Sequence, residues 1–192
     1  MEVTENGHGQ FEKQLRKMKS DNESLRKRIS LLEKMSEFDE VTQLYSQGYF
    51  ERRFTQELRR AERYCEFLSL VLIDMSSALA DQSSSAEVKA IKDLGQLVGT
   101  TLRATDVLAK LGKNRLAVLL TETPKEGAFR LAERLSEKIT GSSLSEELQG
   151  LKEEPLNIGI ASFPEDGAHQ DDLLQVASSP LNGGSSVLRS PE

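Results

Sequence analysis

The sequence has little of what secreted and membrane-spanning proteins use. Cys65 is the only cysteine in 192 residues, so no intramolecular disulfide can form, and a reducing compartment is expected. No apolar run approaches the roughly 18–20 residues that cross a bilayer. The N-terminus has neither the basic start nor the apolar run of a secretory signal. We therefore expect a cytoplasmic protein that does not associate with membranes.

Ligands for transition metals and a basic surface are also scarce. The two histidines, His8 and His169, lie among polar residues, and Cys65 is the only thiol that could join them as a metal ligand. The net charge of −6 is opposite in sign to the basic footprint of a nucleic-acid-binding protein. We expect no metal site, no cofactor and no nucleic-acid partner.

What is present divides near residue 38. Residues 1–10 are polar and are expected to be disordered, and residues 11–37 carry a heptad pattern. Its d positions begin at Phe11, and a single Asn22 at an a position favours a parallel two-stranded register. Charged residues at the flanking g and e positions attract only if the two chains run parallel. The a and d residues of the predicted coiled-coil seam are Leu15, Met18, Asn22, Leu25, Ile29 and Leu32. The sequence predicts a parallel homodimer; the alternative is a solvated amphipathic helix that lies on its own domain.

After residue 38 the pattern is typical of an α/β (α+β) domain, expected over residues 38–181. Helical spacing over 48–66, 87–102 and 124–140 alternates with apolar strands, and a short helix is predicted over 171–177. Two strands flank Gly112-Lys113-Asn114, which is typical of a β-hairpin. We expect one mixed sheet flanked by helices. Residues 182–192 are polar and rich in Gly and Ser, and are expected to form a flexible tail.

Several segments resemble the GGDEF family of bacterial diguanylate cyclases, in order and with nearly unchanged spacing. Residues 39–45 (DEVTQLY) resemble the D-x-L-T-G-L linker motif, 70–74 (LVLID) the first strand, 106–116 the D-x-x-x-R-x-G-G-D-E-F hairpin, 128–134 the helix after it, and 158–161 (IGIA) a late strand. The resemblance implies the nucleotidyl-cyclase-like fold of that family, preceded here by the coiled-coil helix.

The signature turn of that family is degenerate here. Family members join two GTP molecules with the help of divalent cations, which take carboxylate ligands. The ligands are the Asp that ends the first strand and the third residue of the turn; here Asp74 is kept and the turn residue is Asn114. Arg115 replaces the next carboxylate. The aligned turn is Gly112, Lys113, Asn114, Arg115 and Leu116. The resemblance therefore implies no catalytic residues and no enzyme activity, and we expect Asp74 to cap its strand.

The residues that would contact the nucleotide also differ from the family. Lys113 stands at the second glycine of the turn, where a side chain would meet the substrate. The guanine-contacting Asn and Asp align with Gln82 and Ile91, and the Phe-Lys pair with Ala78 and Leu79.

A second site of the family is kept. Its members bind the product at an inhibitory R-x-x-D motif placed six residues before the turn, often completed by an arginine of the following helix. The aligned residues are Arg103, Asp106 and Arg134. Guanidinium groups suit phosphate and the guanine edge, and a carboxylate accepts from guanine N–H groups. The alternative is an Arg–Asp corner with a structural role only.

Three functions remain open at this stage. The first is a catalytically inactive cyclic di-GMP receptor that regulates or scaffolds a protein partner in a bacterial signalling pathway. The second is a dimeric interaction module that needs no ligand. The third is a pseudoenzyme that pairs with an active cyclase. The partner, the pathway and the source are not encoded in any motif.

Overall fold

The computed structural model describes residues 3–79, 83–141 and 157–182, and side chains within 13–29, 36–79, 83–139 and 157–179. The described helices are α1 (Val3–Met35), α2 (Gln47–Tyr64), α3 (Ser84–Gly99), α4 (Lys125–Gly141) and α5 (Gln170–Asn182). The described strands are β1 (Leu68–Asp74), β2 (Val107–Leu111), β3 (Arg115–Thr121) and β4 (Asn157–Phe163). The predicted elements are confirmed to within a few residues, apart from α1, which begins before its predicted start at residue 11, and α5, which continues beyond its predicted end at residue 177.

The four strands form one sheet in the order β2-β3-β1-β4. Strand β1 lies in its interior, and all seven of its residues are buried, which explains why it is a nearly continuous apolar run. The sheet differs from the predicted mixed sheet in one respect. All three described ladders are antiparallel, and the parallel pairing is an isolated bridge between Tyr45 and Ala109. The crossover connections are long enough for either strand direction, so the sequence pattern did not fix it.

Helices cover both faces of the sheet. Alternate residues of β1 point to opposite faces, as the period of a strand requires. Val71 and Ile73 pack on one side with α3 and α4, and Leu70 and Leu72 pack on the other with α2 and α5. The helical residues of the first face include Ala90, Leu94, Leu131 and Leu135; those of the second include Phe50, Phe54, Leu173 and Ala177.

Residues 36–46 attach the N-terminal helix to the sheet. Asp39 Oδ1 accepts hydrogen bonds from the backbone N–H and the hydroxyl of Thr42 at 2.8 and 2.7 Å, and its Oδ2 lies 3.1 Å from Lys110 Nζ on β2. Burial acts to raise the pKa of Asp39, but the hydrogen bonds of Thr42 and Lys110 outweigh it and that pKa lies below its usual value. The backbone of Tyr45 accepts from Lys110 N at 2.9 Å. The linker motif is thus fixed to the edge strand β2.

Helix α1 begins at Val3, eight residues before the predicted coiled coil. The structure thus extends the helix into the segment expected to be disordered, because an established helix adds residues at little further cost. Along it Leu15, Met18, Leu25 and Ile29 are exposed. The side chain of Leu32 and the predicted flexible tail from residue 183 onward lie outside the described residues.

Candidate functional site

The β2–β3 turn stands at the end of the sheet where β1 also ends. Gly112 has a φ of 67°, a left-handed conformation that favours glycine. The backbone N–H of Met75, just after β1, donates to the carbonyl of Asn114 at 2.9 Å. Leu116 is fully buried below the turn. The hairpin predicted from the sequence is therefore confirmed, and its tip is tied to the end of β1.

Arg115 and Asp74 are cross-strand partners in this corner. Their Cα atoms are paired in the β1–β3 ladder, and Asp74 Oδ2 accepts from Arg115 Nη2 at 2.7 Å and from Nε at 3.0 Å. Asp74 Oδ1 accepts from the backbone N–H of Ser76 at 2.8 Å. Burial acts to raise the pKa of Asp74, but the hydrogen bonds from Ser76 and Arg115 and the Arg115 charge outweigh it, and that pKa lies below its usual value. The expected strand-end cap is confirmed, and it is also one half of an ion pair.

Lys113 forms the second ion pair of the turn. Its Nζ lies 2.8 Å from a carboxylate oxygen of Glu87, which belongs to the first turn of α3. The Glu87 side chain is 9% exposed, whereas that of Lys113 is 72% exposed. Between the two basic residues, Asn114 Oδ1 is buried and has no hydrogen-bond partner within the described structure.

The residues of this turn do not fit a divalent cation of the kind the family uses. Both oxygens of Asp74 accept from N–H donors, and Arg115 holds a positive charge against Oδ2. Asn114 offers a neutral amide oxygen in place of a carboxylate. Among the described residues, no three acidic, histidine or cysteine side chains are grouped as metal ligands.

The positions that align with nucleotide contacts also point away from a ligand. Ile91 is 2% exposed and Leu79 is fully buried, and both belong to the core on the α3–α4 face of the sheet. Ala78 packs against the same core. Gln82 lies outside the described residues. Ile91, Leu79 and Ala78 thus serve packing rather than recognition.

Arg103, Asp106 and Arg134 meet around the loop between α3 and β2. Asp106 Oδ2 accepts from the backbone N–H of Arg103 at 2.8 Å, and Arg134 Nη2 donates to the carbonyl of Thr101 at 3.0 Å. Both arginine side chains are exposed. The structure thus places all three aligned residues on one corner of the domain.

Asp106 carries an unmet acceptor in this corner. Its Oδ1 is buried and accepts no hydrogen bond of good geometry among the described residues. Burial raises the pKa of Asp106; the backbone hydrogen bond and charge of Arg103, and a weaker backbone hydrogen bond of Thr121, offset only part of that rise. Most buried polar atoms have partners, so an orphaned carboxylate oxygen is a feature that requires an explanation.

Sequence reasoning missed Glu87 and Lys110, the partners of Lys113 and Asp39. Glu87 is separated from Lys113 by 26 residues, and no local pattern joins them. The Asp74–Arg115 pair could have been predicted from the sequence, because it follows directly from the register of two strands.

Comparison with known proteins gives a family and a fold. The family described as "Diguanylate cyclase, GGDEF domain" matches residues 36–183. The probable diguanylate cyclase DgcT of Escherichia coli (strain K12) is 24% identical over 147 residues, which are 74% of this chain and 32% of DgcT. The chain therefore spans about a third of the length of this curated relative.

Two solved structures have the same fold. The GGDEF domain of TpbB, also called YfiN, from Pseudomonas aeruginosa is 26% identical with a TM-score of 0.63, covering 76% of this chain and 86% of that one. The coiled coil and GGDEF domain of DgcB from Caulobacter crescentus, solved in complex with c-di-GMP, has a TM-score of 0.63 at 14% identity and covers 90% and 95% of the two chains. The predicted fold of helices around one sheet, with an N-terminal helix, is confirmed.

Proposed function

Because this chain belongs to the GGDEF domain family, we propose that it is a catalytically inactive member that binds cyclic di-GMP at Arg103, Asp106 and Arg134. Binding at this corner would regulate or scaffold a protein partner in a bacterial signalling pathway. Its relatives are diguanylate cyclases, so the proposal has two parts: a lost reaction and a retained ligand.

The loss of the reaction rests on charge at the turn. Joining two nucleoside triphosphates requires cations that hold and screen the phosphates. Asp74 is the one carboxylate kept from the aligned pair, and its Oδ2 already accepts two hydrogen bonds from Arg115. A divalent cation would have to displace that guanidinium and then find a neutral amide at Asn114.

The retained ligand rests on the unpaired Oδ1 of Asp106, which is the observation that carries the proposal. A local structural role accounts for Oδ2, which holds the backbone of Arg103, and leaves Oδ1 unexplained. Guanine offers two adjacent N–H donors that suit a carboxylate, and its phosphodiester suits guanidinium groups. Arg134 uses Nη2 for Thr101 and has further N–H donors to offer.

The helix α1 provides the proposed dimer contact. Its exposed apolar residues recur at a and d positions, with Met18 69% and Leu25 58% exposed. In a parallel pair, Asp21 would face Arg26 of the second copy, and Asn22 would meet its own copy. Two copies would then present two ligand corners to one partner.

An interaction module without a ligand is the second candidate. The hydrogen bonds from Arg134 Nη2 to Thr101 and from Arg103 N–H to Asp106 Oδ2 favour it, because both form within the domain and need no ligand. In that case the corner stiffens the α3–β2 loop and the partner docks elsewhere.

Substitution of Arg103 separates the two candidates. For a receptor, Arg103→Ala weakens cyclic di-GMP binding by about one to two decades, since a charge-assisted contact contributes roughly 1.5–3 kcal/mol. Arg63→Ala is the matched control, because Arg63 is equally exposed but lies on α2. A partner that is still captured by Arg103→Ala protein, in the absence of any dinucleotide, would favour the interaction module.

A further inference from the structure

The signature turn contains two acid–base pairs with the same distribution of charge. A basic side chain of the turn reaches a carboxylate on a neighbouring element: Arg115 reaches Asp74 at the end of β1, and Lys113 reaches Glu87 in α3. In both pairs the carboxylate is the shielded partner, with side-chain exposures of 10% for Asp74 and 9% for Glu87. The pairs therefore hold two shielded negative charges at one end of the sheet.

Shielded carboxylates must be neutralised or paired, because removing a charge from water is costly. Two basic side chains together carry two positive charges, as many as one divalent cation carries. Either can therefore neutralise two carboxylates. The two solutions exclude each other, because an ammonium or guanidinium group within 2.7–2.8 Å of an oxygen occupies the position of a cation on that side.

We propose that Lys113 and Arg115 are a built-in replacement for a divalent cation. They neutralise Glu87 and Asp74, attach the hairpin to α3 and β1 through ion pairs, and keep divalent cations out of the turn. The inference is independent of the ligand proposed at Arg103. It assigns a role to Glu87, and it makes the fold of this end of the domain independent of metal.

The two basic residues differ in how firmly they hold. Arg115 donates two hydrogen bonds to one oxygen of Asp74 and is 33% exposed. Lys113 is a point charge at the end of a flexible and largely exposed stem. Salt screens exposed charges more than shielded ones, so the Lys113–Glu87 ion pair is the weaker of the two.

The test removes both cations and asks whether a metal replaces them. The full-length Lys113→Ala/Arg115→Ala variant is titrated with Mn²⁺, and bound metal is measured from the loss of the free Mn²⁺ resonance signal. Thermal unfolding is followed in parallel. Wild-type protein is expected to bind no Mn²⁺ and to keep its Tm. The variant is expected to bind one Mn²⁺ per chain and to gain about 3–5 °C in Tm at tenfold excess over Kd.

Two controls make the result specific. Arg59→Ala/Arg63→Ala removes the same charge from the exposed face of α2, and it is expected to bind no Mn²⁺. Adding Asp74→Asn to the Lys113→Ala/Arg115→Ala variant is expected to abolish the new site. A variant that is unfolded alone but folds on addition of Mn²⁺ also supports the proposal.

Three results would overturn it. One is a folded double variant that binds no Mn²⁺, and another is a double variant that is unfolded and stays unfolded with Mn²⁺. The third is Mn²⁺ bound equally well by the wild type, or by the variant that lacks the Asp74 carboxylate.

Discussion

Asp74 and Asp106 are two carboxylates in contrasting surroundings. Burial acts to raise the pKa of both. At Asp74 the hydrogen bonds of Ser76 and Arg115 reverse the direction, whereas at Asp106 the offset from Arg103 is incomplete and one oxygen has no partner. The first carboxylate is therefore held by two partners among the described residues, whereas the second has one buried oxygen without a hydrogen bond of good geometry.

The lowered pKa of Asp74 predicts a particular acid sensitivity. Its folded pKa lies below the unfolded one, so its stabilising contribution is complete above the usual value of about 4 and is lost as pH falls through the folded pKa. Asp74→Asn should lower the free energy of unfolding at neutral pH and flatten its decline below about pH 4. Urea unfolding across this pH range measures both effects. Glu62→Gln, an exposed change on α2, is the control; parallel curves for the wild type and Asp74→Asn would contradict the account.

Asp106→Asn should behave in the opposite way. The raised pKa means that ionised Asp106 is disfavoured in the fold, so stability falls as pH rises from about 4 through the folded pKa. The amide removes this cost and can still accept from Arg103. At neutral pH we expect unchanged or slightly higher stability together with weaker cyclic di-GMP binding, and a smaller loss of binding than Asp106→Ala causes. A destabilisation above about 1 kcal/mol would favour a purely structural corner.

Among the elements, those set by local pattern were predictable. The β2–β3 hairpin follows from two apolar runs around Gly112, and β1 from its nearly continuous apolar run. The antiparallel direction of β4 beside β1 was not predictable, because it depends on a crossover whose geometry no short pattern encodes. The start of α1 at Val3 escaped prediction for a different reason: polar composition does not by itself end a helix.

Close contact between β4 and α5 gives a test of the fold at this scale. A Cβ on Gly159 would lie 1.7 Å from the backbone carbonyl oxygen of Ala177, so a strand and a helix would have to separate. Gly159→Ala should destabilise the protein by about 2–3 kcal/mol or more. Gly99→Ala is the matched control, since nothing lies within 4 Å of the added atom and helix propensity favours alanine. Equal Tm values for the two variants would contradict the packing described.

None of the described side chains of α1, at residues 13–29, belongs to either core, so we expect the helix to be separable from the domain. Deletion of residues 1–37 is expected to leave a folded monomer, and the full chain a dimer, by light scattering. Asn22→Leu should strengthen association but make the oligomer state less specific. The amide of Asn22, buried between the two helices of the proposed pair, is what favours two strands. A full-length chain that stays monomeric at high micromolar concentration would exclude the proposed dimer.

For the whole molecule, the order and spacing of weak motifs identified the family, and the family match confirms it. The same order located the signature turn and the Arg103 corner. The contact of Lys113 with Glu87 could not be predicted, because it joins a turn and a helix that only the folded domain brings together. The position of each candidate site could be predicted from the sequence, whereas the contacts of each side chain required the structure.

We expect the full chain to lack diguanylate cyclase activity. Incubated with GTP and Mg²⁺ or Mn²⁺, the protein should form neither pppGpG nor cyclic di-GMP above a blank, since the Asp74 carboxylate is committed to Arg115. Chromatographic analysis of the nucleotides measures this. Product that increases in proportion to protein concentration would refute the proposal of an inactive member.

Calorimetric titration of the full-length protein with cyclic di-GMP is the most direct test of the central proposal. We expect binding at micromolar or better affinity, poor binding of GTP, and a loss of about one to two decades in affinity for Arg103→Ala with its Tm unchanged. Absence of both heat and thermal protection at about 100 µM cyclic di-GMP, a concentration at which a micromolar site is nearly saturated, would contradict it.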